Sequence, residues 1–360
     1  MPSVLGDFAL ALATHQWQAT LIGSLGLICA VTLRRRAPRA ASVVLLLALA
    51  KFVLPSFVSA PFALADRAAA WARPFDASVL TATAGQPAGR WWLAALLAVW
   101  AAGSVTVWAS WWWRRTRLRA IARAGLAPVD GPLPGLARSL ARRLGMRGTP
   151  AIVLAPVDGP YATGVRHRVI VLPDRCADHL GIPALEVVLA HELLHHRRHD
   201  LLASWFAAVV VGAAWFNPVV WGLSRAWRSV REDCCDDDLI RAGIADADCY
   251  ADTLLAVAAV SADSARAGMR TAGHPLKRRL ARLLLRRNVP GRHRLAVAAT
   301  ALVFGAGAVP FSHARPLMTP PDDGVRIRVV RTVRRPADVR IQQETVERRD
   351  GIKESRPVVR

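Results

Sequence analysis

Long apolar segments, separated by short basic ones, dominate the pattern of this chain. A helix needs about 20 apolar residues to cross the hydrocarbon core of a bilayer. Stretches of this kind predict four transmembrane helices, the last of them short, at residues 8–33, 40–64, 91–113 and 295–311. Polar and apolar positions are mixed more evenly between the third and fourth stretches, so we expect a folded domain to be inserted there.

A fifth apolar stretch lies inside this inserted domain, at residues 201–221. If it crossed the membrane, the basic stretch 277–294 would lie on the outer side, which the positive-inside rule opposes. Asn217-Pro218 interrupts the stretch, and proline disfavours a continuous helix. We therefore expect a helical hairpin that dips into or lies against the bilayer, with a further break of the chain near Asp200.

The distribution of charged residues predicts how the chain is oriented in the membrane. The chain has a formal net charge of +22 although 53% of its residues are hydrophobic, a combination typical of membrane proteins and rare in soluble ones. Its arginines cluster after the first and third apolar stretches and before the fourth. The positive-inside rule then places residues 114–294 in the cytoplasm, and the N-terminus and the short tail 312–360 outside. Because the arginines lie beside apolar segments, membrane topology explains them better than direct nucleic-acid binding does.

The predicted fold class is therefore a mainly α-helical integral membrane protein with an inserted cytoplasmic α+β domain. The predicted parts are a three-helix transmembrane region (1–113), the cytoplasmic domain with its membrane-associated hairpin (114–294), a fourth transmembrane helix (295–311) and an extracytoplasmic tail (312–360).

The segment HELLHHRRHD contains the motif HExxH, formed by His191, Glu192 and His195. Residues four apart on a helix differ by about 40° in direction, so both imidazoles can bind one metal ion. Glu192 lies beside the first imidazole, where it can act as the general base on a water molecule. We expect His196 and His199 to point elsewhere, on the flank of the helix. A polar patch on a surface helix is the alternative, but the apolar neighbours predict a buried helix, in which imidazoles need partners.

A catalytic zinc ion needs a third protein ligand. Of the six glutamates, three follow the fourth predicted span and so would lie across the membrane, and Glu186 points away from the motif. Glu232, in REDCCDDDLI, is the predicted third ligand, as in a gluzincin. Asp236, one helical turn later, is predicted to orient a ligand histidine through its other ring nitrogen. An acidic helix end would explain Asp237 and Asp238 but leaves Glu232 without a role.

Two further features allow more than one interpretation. Residues 151–173 contain two β-rich runs around Gly159-Pro160. They could present an edge strand to which a peptidase substrate is added, or form an ordinary hairpin that closes the domain core. Candidate donors to the oxyanion of a peptidase reaction are Tyr161, Tyr250 and His274, and each could equally have a structural role.

With these residues identified, the chain resembles the BlaR/MecR-type membrane zinc metallopeptidases, the antirepressors of β-lactam sensing. The resemblance covers about residues 5–312. It rests on five segments in this order: YATGVRHRVIVLP, HELLHHRRHD, WFNPVVW, REDCCDDDLI and HPLKRRLARLL.

The resemblance implies four spans, a cytoplasmic gluzincin domain between the third and fourth, and cleavage of a DNA-binding repressor. It also implies zinc ligation by His191, His195 and Glu232 and a general base at Glu192. Sensor members of the family continue after the last span into a penicillin-binding domain with an SxxK serine. No serine after His313 begins an SxxK here, so we do not expect this chain to recognise β-lactams.

The sequence thus predicts a zinc-dependent endopeptidase of the bacterial inner membrane that cleaves a cytoplasmic protein such as a transcriptional repressor. Two alternatives stay open. One is quality control of membrane proteins, as in peptidases of the HtpX and CAAX-protease types. The other is a catalytically silent membrane receptor or scaffold. The expected partners are the protein substrate and the lipid bilayer, and the chain could also self-associate.

Overall fold

The chain is mainly α-helical in its computed structural model, which describes residues 2–54, 90–127, 131–262 and 273–285 and three strands of the tail. It divides into two compact units, Met1–His313 and Ala314–Arg360. The helices are α1 (Pro2–Leu33), α2 (Pro38–Lys51), α3 (Arg90–Ala124), α4 (Leu133–Arg143), α5 (Asp174–His179), α6 (Ile182–Arg197), α7 (Asp200–Ala213), α8 (Pro218–Arg241), α9 (Ala247–Ala262) and α10 (Gly273–Leu285).

Two of the described helices are long and apolar enough to cross a membrane, at His15–Leu33 in α1 and Ala94–Ala124 in α3. They correspond to the first and third predicted spans. The described part of the second predicted span ends at Leu54, and the predicted span 295–311 lies wholly outside the described residues. Four spans therefore remain a prediction. Helix α3 continues eleven residues past Trp113, because the basic segment that follows is also rich in good helix formers.

The apolar stretch 201–221 contains a helix, a turn and the start of a second helix, as the proline predicts. Asn217 caps α8: its side-chain oxygen accepts a hydrogen bond from the backbone N–H of Val219 at 3.0 Å. Pro218 occupies the first turn of α8, where a missing N–H costs nothing. The predicted break near Asp200 is also present, since His199 has a φ of 57° between α6 and α7.

Helix α7 lies along α3, and hydrogen bonds from tryptophan indoles connect the two segments. The indole of Trp100 donates to the carbonyl of Ala213 at 2.9 Å, and that of Trp215 donates to the carbonyl of Trp100 at 3.0 Å. The rings fit because glycines face them: a Cβ on Gly103 would lie 2.1 Å from Trp215, and one on Gly212 would lie 1.8 Å from Trp108. The hairpin thus packs on a helix long enough to span a membrane.

Helices α1, α2, α7 and α8 share one apolar core, in which Val44, Leu45, Leu49 and Leu223 are fully buried. Trp227 of α8 is buried there too, and its indole donates to the hydroxyl of Ser42 at 3.2 Å. The first two helices therefore pack directly on α8.

A small sheet lies beside α6. Its strands are β1 (Ala151–Ala155), β2 (Tyr161–Thr163) and β3 (Val169–Pro173), in the order β1-β3-β2. β1 is parallel to β3 and β2 is antiparallel to it, so the two runs do not pair as the ordinary hairpin that was one of the two interpretations. The second run is split by a turn at Gly164, whose φ is 78°, and a Cβ there would lie 1.8 Å from the carbonyl oxygen of His167.

The second core of the larger unit surrounds α6. Leu189, Leu193 and Leu194 of this helix are fully buried, together with Ile170 and Leu172 of β3. The motif helix is therefore a central element of its domain, as its apolar sequence predicts.

The tail unit contains an antiparallel sheet in the order β4-β5-β6, formed by Arg326–Thr332, Ile341–Glu347 and Lys353–Val359.

Candidate metal centre

Helix α6 places the two histidines of the HExxH motif on one face. His191 and His195 are each 8% exposed, and their ring centroids are 4.9 Å apart. Glu192, between them in sequence, is 5% exposed and lines a cavity that both histidines also line. The buried setting favours the functional interpretation over a polar surface patch, because a buried imidazole or carboxylate needs a charged or hydrogen-bonded partner.

Glu232 of α8 completes a group of three. Its Oε2 atom lies 3.3 Å from Nε2 of His191 and 3.8 Å from Nε2 of His195. One ligand atom from each residue falls within 4.8 Å of the others, which is close enough for a single ion. Two imidazole nitrogens and a carboxylate oxygen are a donor set that suits zinc and leave a fourth position for water or substrate.

The second carboxylate oxygen of Glu232 belongs to another partner. Arg231 donates two hydrogen bonds to Oε1, at 2.7 and 3.1 Å, which leaves Oε2 facing the histidines. Burial alone would raise the pKa of Glu232, but the hydrogen bond from His191 and the charges of His195 and Arg231 hold it well below its usual value. Glu232 is therefore an anionic donor at neutral pH.

Asp200 fixes the orientation of His195, and sequence reasoning did not identify it in this role. Its Oδ2 atom lies 2.9 Å from Nδ1 of His195, so the ring presents Nε2 toward Glu232. Cys235 contacts the same pair, with its sulfur 3.4 Å from Nδ1 of His195 and 3.5 Å from Oδ2 of Asp200. His195, Asp200 and Cys235 also lie close enough to hold an ion. Because His195 faces Glu232 through its other nitrogen, this second group supports the first.

Asp236 contributes to the orientation of His191 mainly through a tyrosine. The distance from Nδ1 of His191 to Oδ1 of Asp236 is 3.6 Å, but only 3.0 Å to the hydroxyl of Tyr250. That hydroxyl donates to Asp236 at 2.6 Å, and Arg279 donates to both Asp236 and Tyr250. The predicted role of Asp236 is thus shared with Tyr250 and Arg279.

The two described candidates for the oxyanion donor, Tyr250 and Tyr161, both donate hydrogen bonds to other groups of the protein. The Tyr250 hydroxyl is engaged with Asp236, and burial, followed by the charge of Asp236, raises its pKa well above the usual value. The hydroxyl of Tyr161 donates to the carbonyl of Leu118 at 3.1 Å. The side chain of His274 lies outside the described residues.

His196 and His199 do not join the group. His196 is buried and hydrogen-bonds through Nε2 to the carbonyl of Val169 at 3.2 Å, which ties α6 to β3. Burial lowers the pKa of His196 to about 4, so its ring is neutral and donates this bond. The prediction that it lies on the flank of the helix beside the arginines is therefore wrong, since only His199 is exposed.

The aspartates that follow Glu232 are buried and paired, in contrast to the predicted acidic helix end. Asp233, fully buried, accepts a hydrogen bond from Arg34 at 2.6 Å, and Asp238 accepts one from Arg39 at 2.5 Å. Asp237 pairs with Arg282 of α10 at 2.9 Å. The α1–α2 connection and α10 thus converge on the part of α8 that carries Glu232.

A cavity of about 780 Å³ opens over the three donor atoms. Tyr161 and Ala162 of β2 line it together with Glu192, Arg115 and Arg231. Among the described strands β2 lies at the edge of its sheet and pairs only with β3, so a polypeptide segment in this cavity would meet its free edge.

The chain is similar in sequence to known proteins. The sequence model of the family described as BlaR1 peptidase M56 matches residues 17–283, which is most of the chain. The regulatory protein BlaR1 of Bacillus licheniformis is 35% identical over 77 residues. That match spans 21% of this chain and 13% of the relative.

Proposed function

This chain belongs to the BlaR1 peptidase M56 family, a family of membrane metallopeptidases in signalling, and from that premise we propose that it is a zinc-dependent endopeptidase. The observation that carries the proposal is the group of three donor atoms within 4.8 Å of one another beside the buried Glu192. Each donor is positioned by a further residue, as in metal sites generally.

In the proposed reaction, His191, His195 and Glu232 hold the ion, and Glu192 acts as the general base. A zinc ion at this position would polarise the scissile carbonyl and acidify a water molecule. Glu192 accepts a proton from the attacking water and returns it to the leaving amine. The substrate lies extended along β2, whose free edge would supply main-chain hydrogen bonds.

The proposed substrate is a cytoplasmic protein, with a DNA-binding repressor favoured. Support comes from the family and from the similarity to a regulatory protein. Turnover of damaged membrane proteins is the second candidate, supported by the packing of the α7–α8 hairpin on α3, a helix long enough to cross a membrane. The buried donor group argues against a catalytically silent scaffold, because such a protein has no use for it.

Sequencing of new protein N-termini in cells tests the proposed function. Cells expressing the wild-type chain should contain cut proteins that are absent from matched cells expressing Glu192→Gln. A repressor among them would support the signalling role, and mostly membrane-protein fragments would support quality control. Identical sets of N-termini in the two strains would refute the peptidase proposal.

We further propose that residues 114–294 face the cytoplasm and that the tail lies outside. Reporter fusions near residues 130 and 285 should then be active only with a cytoplasmic reporter, and a fusion near residue 340 only with a periplasmic one, since the arginine clusters favour this orientation. Alkaline phosphatase activity from the fusion near 285 would show that 201–221 crosses the membrane.

A further inference from the structure

A second cavity, of about 790 Å³, lies between the basic end of α3, the turn that joins β2 to β3, and the start of α7. Arg119 and Arg123 line it from α3, one helical turn apart, and Arg166 and His167 line it from the turn. Within the described part of the chain, none of these four side chains pairs with a carboxylate. The cavity therefore has concentrated positive charge without an internal counter-ion.

Apolar side chains that are partly exposed form another part of the lining. Leu202 is 57% exposed and Val165 is 39% exposed. Trp205 lies beside them, with the guanidinium of Arg119 5.8 Å from its ring centroid. The cavity thus combines a basic end with an apolar wall that is open to the surroundings, a combination that fits an amphiphilic anion.

Its depth relative to the membrane fits as well. Arg119 lies six residues after Trp113, the end of the predicted third span, or about 9 Å along the helix. The polar headgroup region extends roughly 5–8 Å beyond the hydrocarbon core on each side. The Cα atom of Arg119 therefore lies just beyond the headgroup region, and its long side chain can reach back into that region. Helix α7 contributes the apolar wall of the cavity from the adjacent hairpin.

The basic turn is held in place by the fold. Gly164 adopts a φ of 78° that places the carbonyl of His167 where a side chain would otherwise lie. The strand that follows begins at Val169, whose carbonyl accepts the hydrogen bond from His196. This hydrogen bond connects Val169 in the cavity wall to His196, the neighbour of His195 in sequence.

We propose that this cavity binds an anionic phospholipid of the cytoplasmic leaflet. The phosphodiester group lies among Arg119, Arg123 and Arg166, and an acyl chain covers Leu202 and Trp205. Basic pockets at the cytoplasmic ends of membrane helices recognise lipid headgroups by the same chemistry. The proposal rests on the membrane location of the chain and is independent of its peptidase activity.

Native mass spectrometry of the full chain in detergent tests the proposal, by titration with phosphatidylglycerol and with phosphatidylcholine. The wild-type chain should bind phosphatidylglycerol more tightly. Removing Arg119 and Arg166 together, as R119Q/R166Q, should weaken that binding roughly 25-fold, at about fivefold for each arginine near the surface. The single variant R166Q changes only an exposed turn and should show the fivefold loss alone.

The matched control is R114Q/R117Q, which removes two exposed arginines from the same helix outside the cavity and should change the dissociation constant less than twofold. An equal loss in this control would show that only a diffuse basic surface attracts the lipid, and equal binding of phosphatidylcholine would also refute the site. A third arm adds inorganic phosphate, and complete displacement of phosphatidylglycerol by it would show a phosphate site without a lipid component.

Discussion

Purified Glu192→Gln should bind zinc at the wild-type level and cleave substrate about 10²–10⁴-fold more slowly, which is the usual contribution of a general base. The amide keeps the size of the carboxylate but cannot accept the proton of the attacking water. Glu192 is outside the group of three ligand atoms, so the variant leaves that group intact. Metal content and the rate of cleavage of one protein substrate, measured on the same preparation, check both parts.

The control for this variant is Glu186→Gln, a glutamate of the same helix that pairs with Arg143 at 3.5 Å. It should cleave at the wild-type rate. A Glu192→Gln protein as active as this control would show that another group accepts the proton.

Glu232→Ala should lose most of the zinc, which we expect at about one ion per chain in the wild type. The variant removes the only carboxylate among the three candidate ligand atoms and leaves two imidazoles on one helix. It also removes the carboxylate that accepts two hydrogen bonds from the guanidinium of Arg231. Metal analysis after dialysis against a weak chelator gives the measurement.

Two further variants should bind zinc more tightly than Glu232→Ala does. Asp200→Asn should weaken zinc binding about 10–100-fold, the usual effect of changing a residue that orients a ligand. His199→Ala should bind zinc like the wild type, because this side chain is exposed and outside the ligand group. Equal zinc loss in His199→Ala and Glu232→Ala would contradict the proposed ligands.

Much of the candidate centre could be predicted from local sequence. The spacing of His191 and His195 fixes their common face once the segment is helical. Glu232 followed by elimination, because few glutamates lie on the same predicted side of the membrane. The turn at Asn217-Pro218 could be predicted because proline and an asparagine cap act over a few residues.

The supporting residues could not be found in this way. Tyr250 is 59 positions from His191 in sequence, and no periodic pattern connects them. Asp200 lies near the motif, but its contact with His195 depends on the left-handed conformation of His199, which the residue type does not predict. The strand order could not be predicted for a similar reason, since the parallel pairing of β1 with β3 depends on packing between separate segments.

The ion pairs of the buried aspartates could not be predicted for a different reason. Asp237 and Asp238, at the end of REDCCDDDLI, look like an acidic helix end when only their own segment is considered. Arg34, Arg39 and Arg282 come from distant segments, and the positive-inside rule already explained such arginines by topology. The structure gives Arg34 and Arg39 a second role, because their guanidinium groups pair with Asp233 and Asp238.

These ion pairs connect the helix that carries Glu232 to the first two helices of the chain. A water-soluble fragment beginning after the third span would lack Arg34 and Arg39 and would expose the face of α8 that packs on α1 and α2. Among the described residues, Asp233 would keep only the ion pair with the guanidinium of Arg282, at 3.6 Å, whereas Asp238 would keep those with Arg198 and Arg241, each at 3.0 Å. Glu232 lies next to Asp233, so the loss would fall on the metal centre. Cutting the chain after the third predicted span therefore removes contacts that support the candidate metal centre.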